Sequence, residues 1–297
     1  MKRKFVQIVT WLGVMAALTL AAMGIWVIGW RGDQSTESLK WLQMLQTCAT
    51  FLLPPLFCAW LWDEEHKPFR WLQMDRGASW QIFVVAIVTM VCAIPAINLL
   101  AEVNSRFLDW LLANSDWSRE TIEWMKAREE EATVLTERFL QADSFGGMLV
   151  NIGLMALMPA LAEEMSFRGV LQGVIGERER RKTHIAIWVT AFIFSAIHFQ
   201  FYGFVPRMLL GAMFGYMLAW TGSLWVPIVM HFVNNGVAVV SYQLLDAGSQ
   251  GSEKSIADTI GAGDTWWVGV ISLAAVCGLL WLIRQLSCNS VIENKHR

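Results

Sequence analysis

Long apolar runs are the feature of this sequence that most constrains its fold. Of the 297 residues, 55% are hydrophobic and only 16% are charged, whereas about 25% of residues are charged in a typical soluble protein. A helix needs about 20 mostly apolar residues to cross a bilayer. Eight stretches meet or approach this length, at residues 5–29, 40–62, 80–101, 147–174, 184–200, 206–221, 224–245 and 265–285. The sequence therefore predicts an all-α fold, a polytopic transmembrane helix bundle of about eight spans.

The charged residues predict the orientation of this bundle and the kind of partner it has. Lys and Arg accumulate in the cytoplasmic segments of membrane proteins. With a cytoplasmic N-terminus, the inner segments hold Lys2, Arg3, Lys4, Lys67, Arg70, Arg76, Arg178, Arg180, Arg181, Lys182, Arg284, Lys295 and Arg297. The short outer segments then hold only Arg31, Lys40, Arg207 and Lys254. Both termini are therefore predicted to be cytoplasmic, and the net charge of −2 gives no indication of a nucleic-acid partner.

The predicted spans divide into three regions. Residues 1–143 hold three spans and an amphipathic outer segment, residues 144–246 form a core that contains the polar motifs, and residues 247–297 hold an outer loop and the last span. Within the first region, Pro54-Pro55 is expected to kink or break the second span.

The outer segment at 102–143 is acidic and is expected to contain a helix. Asn114, Ser115 or Asp116 could cap the start of this helix. Apolar residues recur there at helical spacing, at Ile122, Met125, Ala132, Leu135 and Phe139. The helix is expected to lie either on the outer membrane face or in solvent.

Three clusters of polar residues lie inside predicted spans, where an ionisable side chain costs about 2.5–3.5 kcal/mol. They are Glu163-Glu164-Met165-Ser166-Phe167-Arg168, Phe194-Ser195-Ala196-Ile197-His198 and His231-Phe232-Val233-Asn234-Asn235. Three such clusters on three spans indicate a functional site rather than helix packing alone.

Helical spacing assigns different roles to these residues. Glu164 and Arg168 are four residues apart, share a helix face and are predicted to form a structural ion pair. Glu163 is turned about 100° away from Glu164, so its carboxylate is not part of this ion pair and is available for a catalytic role. His231 and Asn235 are also four residues apart, so both can face one site.

Helix lengths predict the depth of the same groups in the membrane. Glu163 and His198 each lie 14 residues from the connection at 177–184, which places both about 21 Å from it. His231 is only eight residues beyond Ser223. His231 is therefore predicted to lie several ångström closer to the membrane surface than the other two.

These residue types support two hydrolytic mechanisms. Glu163 beside a neutral His198 can bind and deprotonate a water, and His231 with Asn235 can donate hydrogen bonds to an oxyanion. Glu163, His198 and His231 are also a ligand set for catalytic zinc with an open fourth position. The residue types alone do not separate the two mechanisms, although the shallower depth predicted for His231 favours the metal-free one.

Other protease chemistries have less support. No predicted span contains an HExxH metal motif. Ser195 lies three residues before His198, but no orienting carboxylate is near it in sequence. Gly261-Ala262-Gly263-Asp264 matches the GxGD signature of intramembrane aspartyl proteases, yet no second Asp lies within another span, and Asp264 is expected to cap the last helix.

In this order and on separate spans, the three clusters resemble the EExxxR, FxxxH and HxxxN motifs of the CAAX-protease and bacteriocin-processing family (CPBP, also called Abi). Here they read Glu163-Glu164 to Arg168, Phe194 to His198 and His231 to Asn235. The resemblance covers roughly residues 145–245.

This resemblance implies an intramembrane endopeptidase whose site opens toward the cytoplasm. It implies that Glu163 activates water with His198 as its partner, that His231 and Asn235 stabilise the oxyanion, and that the cofactor is either none or zinc. The implied partners are the lipid bilayer and a membrane-associated peptide or protein substrate.

The spacing of the motifs bears on which relatives this chain resembles most. The 33 residues from His198 to His231 and the short loops favour a bacterial relative in the cytoplasmic (inner) membrane over a eukaryotic CAAX enzyme. The alternative function is that of a non-catalytic membrane scaffold or a bacteriocin self-immunity protein.

Overall fold

The computed structural model describes residues 2–31, 33–114, 119–142, 144–176, 183–246 and 260–293. Within these ranges the chain is helical and contains no strand, which confirms the predicted all-α class. The helices are α1 (Lys2–Trp30), α2 (Thr36–Trp62), α3 (Pro68–Trp71), α4 (Trp80–Ala113), α5 (Arg119–Leu140), α6 (Phe145–Gly176), α7 (Thr183–Ala196), α8 (Phe204–Thr221), α9 (Trp225–Ser241) and α10 (Trp266–Glu293).

Each of the eight predicted spans coincides with a helix of this bundle. Five of these helices, α1, α2, α4, α6 and α10, are long and apolar enough to cross a membrane. The other three are α7, α8 and α9, with 14, 18 and 17 residues. At about 1.5 Å per residue they are about 21–27 Å long, somewhat less than the hydrocarbon core of a bilayer. The chain is therefore an integral membrane protein built as a helix bundle.

Wide π-helical turns interrupt α2 and α6. In α2 the π-helical turn Cys48–Leu52 comes directly before Pro54-Pro55, and the helix then continues to Trp62. These prolines are predicted to kink or break the second span. The predicted alternative of a break is wrong, because the helix continues through them. A proline lacks an amide hydrogen, and the π-helical turn changes the hydrogen-bonding register at that point, so the helix continues. In α6, two π-helical turns, Gly153–Leu157 and Met165–Gln172, flank the segment that ends at Glu164.

Helix α4 is longer than the predicted span at 80–101, because it continues to Ala113. Asn114 is the C-terminal cap of α4 and does not start the next helix, so its predicted role is wrong. The other two proposed caps, Ser115 and Asp116, lie outside the described residues. Sequence periodicity finds the helix but cannot tell which of two consecutive helices a polar residue between them caps.

Helix α5 packs on protein and does not lie free in solvent. Met125 is buried against Leu108 of the α4 extension and near Tyr202. The Tyr202 hydroxyl donates a hydrogen bond to Asp109 Oδ1 (3.0 Å), and its backbone N–H donates to Glu129 Oε2 (3.2 Å). Burial, and then the hydrogen bond to Asp109, raise the pKa of Tyr202 to about 12, so the phenol keeps its proton at neutral pH.

Hydrogen bonds between connecting segments define one end of the bundle, which we call the α5 end. Arg138 Nε of α5 donates to Thr36 Oγ1 at the start of α2 (2.8 Å). Asn98 Nδ2 of α4 donates to the carbonyl of Ile260, just before α10 (3.0 Å). The connection between α7 and α8, which contains Tyr202, lies at the same end.

The opposite end, which we call the basic end, is closed by the segment 63–79. Ser223 Oγ, in the turn between α8 and α9, donates to the Arg76 carbonyl (2.6 Å), and the Leu224 N–H donates to the Gln73 carbonyl (3.0 Å). Ser223 and Leu224 have no exposed surface. Ser223 and Leu224, in the turn between α8 and α9, are thus buried beneath this segment.

Candidate active site

A cavity of about 480 Å³ lies among α4 to α9 and is lined by residues of all three predicted motifs. Its wall includes Glu163, His198, His231 and Asn235. The structure therefore places these four residues around one space, although they come from α6, the end of α7, and α9. Glu163 presents a side chain that is 18% exposed.

Glu164 points away from this cavity into a fully buried network. Arg168 Nη1 donates to Glu164 Oε1 (2.7 Å), and neither side chain has exposed surface. His231 Nδ1 lies 2.8 Å from the same carboxylate oxygen. Consecutive glutamates therefore have separate environments, as the 100° turn between them requires. One carboxylate holds a cation and an imidazole in place, and the other lines the cavity.

Arg168 is positioned by two helices besides its own. Its Nη2 donates to the carbonyl of Gly211 on α8 (3.1 Å), and its guanidinium lies over the rings of Phe194 (4.5 Å to the centroid) and Phe214 (5.5 Å). Such cation–π contacts stabilise a guanidinium that water does not reach. A Cβ at Gly211 would come within 3.2 Å of Arg168 Nη2, so a glycine allows this close approach.

His231 faces Glu163 through its second ring nitrogen. Because a carboxylate at neutral pH accepts hydrogen bonds only, the contact with Glu164 fixes the proton on His231 Nδ1. Nε2 then points toward the cavity, 3.9 Å from Glu163 Oε2. The Phe214 ring stacks on the imidazole, with centroids 5.4 Å apart, and Phe194 approaches it edge-on.

The predicted shallow position of His231 is wrong, because His231 lies beside Glu163 and Glu164. Its depth was counted from Ser223, on the assumption that the turn between α8 and α9 lies at the membrane surface. That turn is buried beneath the segment 63–79, so α9 begins deeper in the bundle. The predicted depth of His231 therefore no longer favours the metal-free mechanism.

His198 is oriented by the motif that contains it. Its Nδ1 lies 2.7 Å from the carbonyl of Phe194, one helical turn earlier. A carbonyl can only accept, so Nδ1 carries the proton, and the neutral ring offers the Nε2 lone pair. The Phe194 ring also packs edge-on against this imidazole, with centroids 5.1 Å apart. The Phe of the FxxxH pattern thus holds His198 with its carbonyl and contacts Arg168 with its ring.

Sequence reasoning gave no role in the site to four other polar residues of the cavity wall, which are Thr136, Gln200, Arg207 and Asn234. The sequence analysis places Arg207 among the cations of the short outer segments. In the structure it lines the cavity near the start of α8. Its Nη2 donates to Gln200 Oε1 (2.7 Å). Asn234 also lines the cavity and donates to Asn235 Oδ1 (3.1 Å). The Asn235 amide has a long contact of 3.4 Å with the Met155 carbonyl. No sequence signal distinguishes Arg207 from an interfacial arginine, because its position depends on where α8 begins.

The histidines have tautomers that suit metal ligation, but the side chains do not converge. Metal-ligating histidines usually donate their other N–H to a carboxylate or carbonyl, as His198 and His231 do. Two ligands about 2.1 Å from a tetrahedral ion lie about 3.4 Å apart, and the gap between Glu163 and His231 is 3.9 Å. Among the described residues, no three His, Cys, Asp or Glu side chains are grouped to hold a metal. As placed, they do not fit a three-ligand zinc site.

Two of the other protease signatures can also be located. The Ser195 hydroxyl donates to the Phe204 carbonyl (2.7 Å), is fully buried and is not part of the cavity wall. Asp264 lies in the short 3₁₀ turn Gly263–Thr265 that leads into α10, at the α5 end. Neither residue has the surroundings that a nucleophile or a paired aspartate needs.

The architecture is thus that of a helical membrane protein with a Glu/His site in the interior of the bundle, and part of the chain is similar to known proteins. Residues 145–237 match the family described as "Type II CAAX prenyl endopeptidase Rce1-like". This segment contains all three motifs, from Glu163 to Asn235. The resemblance to the CPBP family, to which this type belongs, is therefore confirmed for this part of the chain.

A curated relative also matches part of the chain. "Uncharacterized protein YpbD" of Bacillus subtilis (strain 168) is 37% identical over 91 residues, which are 29% of this chain and 43% of that protein. The chain therefore matches less than half the length of this relative. No solved structure matches the chain.

Proposed function

We propose that this protein is an intramembrane endopeptidase that hydrolyses peptide bonds of membrane-associated substrates. The observation that carries the proposal is the pair formed by Glu163 Oε2 and His231 Nε2, 3.9 Å apart on the wall of a cavity within the bundle. A single water with hydrogen bonds of about 2.8 Å can bridge such a gap. The Rce1-like match of residues 145–237 supports peptide hydrolysis over a packing role.

Glu163 is the general base in this proposal. Its carboxylate takes one proton from the bridging water, and the resulting hydroxide attacks the carbonyl carbon of the substrate peptide. The protonated Glu163 then delivers the proton to the leaving amine nitrogen, which balances the reaction. His198 supplies its Nε2 lone pair as a second acceptor for the water.

His231 and Asn235 stabilise the oxyanion in this proposal. In this proposal His231 carries a proton on Nε2 as well as on Nδ1 while the oxyanion forms, so both ring nitrogens are donors. Nε2 faces the cavity. The Asn235 Nδ2, whose hydrogen bond to the Met155 carbonyl is long (3.4 Å), is expected to donate to the same oxygen.

Cleavage is tested by comparing the membrane proteomes of cells that express the intact protein and the Glu163→Ala variant at equal levels. We expect new peptide termini within or next to membrane segments in cells with the intact protein, and their loss in the variant. A scaffold or self-immunity protein would give the same termini in both samples. That result would contradict the proposed hydrolysis.

We further propose that hydrolysis needs no metal, because the described side chains do not form a three-ligand set. Protein purified without chelators is expected to be active with far less than one zinc per chain, as measured by elemental mass spectrometry. His231→Ala should lower activity without changing the metal content. His184→Ala is the matched control, since His184 lies outside the cavity and contacts Tyr216. Stoichiometric zinc that is lost together with activity in His231→Ala would overturn the metal-free mechanism.

A further inference from the structure

The cavity is built from the α5 half of the bundle. Thr136 of α5 and Ala101, in the part of α4 nearest α5, line its wall, together with Gln200 and Gly203 from the connection between α7 and α8. Thr136 is exposed. The mouth of the cavity is therefore at the α5 end, and Glu163 and His231 lie toward its floor.

The bundle is closed below this floor. Every residue of the π-helical turn Met165–Gln172 is buried. Leu72 and Leu224 have no exposed surface, and a Cβ at Gly169 would come within 2.7 Å of Leu72 Cδ2. These buried residues form a packed layer between the cavity and the basic end.

The positively charged segments are at the closed end. Lys4 donates to the carbonyl of Ile175 near the end of α6 (2.9 Å), and Arg284 of α10 lies over Trp220 of α8. The segment that covers the floor carries Lys67, Arg70 and Arg76, and the connection from α6 to α7 has the sequence Arg178, Glu179, Arg180, Arg181, Lys182. The segment 102–143 at the α5 end also carries five Lys and Arg residues. The larger number of Lys and Arg residues in the segments of the closed end predicts that this end is cytoplasmic.

We propose that the cavity opens to the extracytoplasmic side of the membrane, and that its substrate is a peptide segment of a membrane or exported protein that enters from that side. This inference rests on the proposed function as regards the substrate, but not as regards the direction of the opening. It replaces the cytoplasmic opening that the family resemblance implied. A prenylated cytoplasmic C-terminus would meet the closed end and could not reach Glu163.

Thiol labelling tests the direction independently of hydrolysis. The five native cysteines, Cys48, Cys58, Cys92, Cys277 and Cys288, are replaced by Ala, and single cysteines are introduced as Ala101→Cys and Ala219→Cys. These two alanines line cavities at opposite ends of the bundle, so the substitutions are matched. The probe is a membrane-impermeant sulfonated maleimide, applied to intact spheroplasts and to lysed membranes.

We expect Ala101→Cys to be labelled equally in intact spheroplasts and lysed membranes, and Ala219→Cys to be labelled only after lysis. Reporter fusions at Arg31, Arg178 and the C-terminus should score outside, inside and inside. Labelling of Ala219→Cys in intact spheroplasts, with Ala101→Cys protected until lysis, would overturn the proposal. An outside C-terminus would do the same.

A second measurement connects the opening to the substrate. Activity of each single-cysteine variant on a cleaved membrane protein is compared before and after labelling of intact spheroplasts. For Ala101→Cys, we expect the activity after labelling to be lower than the activity before it. For Ala219→Cys, we expect the two activities to be equal. If Ala101→Cys is labelled from outside and cleavage continues, the substrate does not enter through this mouth. If no cleavage occurs in any variant, the proposed function fails while the labelling still decides the direction.

Discussion

Replacement of Glu163 by Gln is expected to abolish hydrolysis while the protein remains folded. The amide keeps the size of the side chain but cannot take a proton from water, and loss of a positioned general base typically lowers the rate by about 10²–10⁴-fold. Within the described part of the chain, the ion-pair contact of Glu163 is the one with His231, and it is 3.9 Å long. Removal of its charge should therefore disturb the fold little.

The measurement is the cleavage rate of a membrane-embedded substrate by purified protein, together with the melting temperature in the same detergent. Glu120→Gln makes the same chemical change at an exposed position of α5 and should leave both quantities unchanged. If Glu163→Gln kept a rate within a few-fold of the intact protein, the base would have to be another group, and His198 would be the first candidate.

Replacement of Glu164 by Gln is expected to destabilise the protein strongly. Arg168 would then be a buried cation without its carboxylate, and breaking a buried ion pair by removing one partner typically costs about 3–5 kcal/mol. The acceptor of His231 Nδ1 would also change from a charged carboxylate oxygen to a neutral amide oxygen. We expect a large fall in the melting temperature and in the yield of folded protein.

A matched control and a double variant make this prediction specific. Glu131→Gln removes the partner of Arg128 in an exposed pair (2.6 Å), and such surface pairs contribute only about 0–1 kcal/mol. Adding Arg168→Met to Glu164→Gln removes the unpaired buried charge and should recover part of the lost stability. A folded but inactive Glu164→Gln, together with an active Glu163→Gln, would reverse the roles of the two glutamates.

Features that depend on residues close in sequence could be predicted here. The spans follow from apolar length, and the contact of Arg168 with Glu164 follows from a spacing of four residues on one helix. Features set by distant segments could not be predicted. The depth of His231 depends on the segment 63–79, which buries the turn before α9, and the place of Arg207 depends on the start of α8. The π-helical turns of α2 and α6 also have no periodic signature.

The buried turn between α8 and α9 has a consequence for how much of the chain is needed to make a working site. Ser223 and the Trp225 indole donate to the carbonyls of Arg76 and Met74, which lie outside the Rce1-like segment. A buried donor without a partner costs about 1–3 kcal/mol. The motif-bearing segment is therefore expected to draw part of its stability from residues outside it. Its transplantation into another membrane protein would have to include residues 63–79, although no motif marks them.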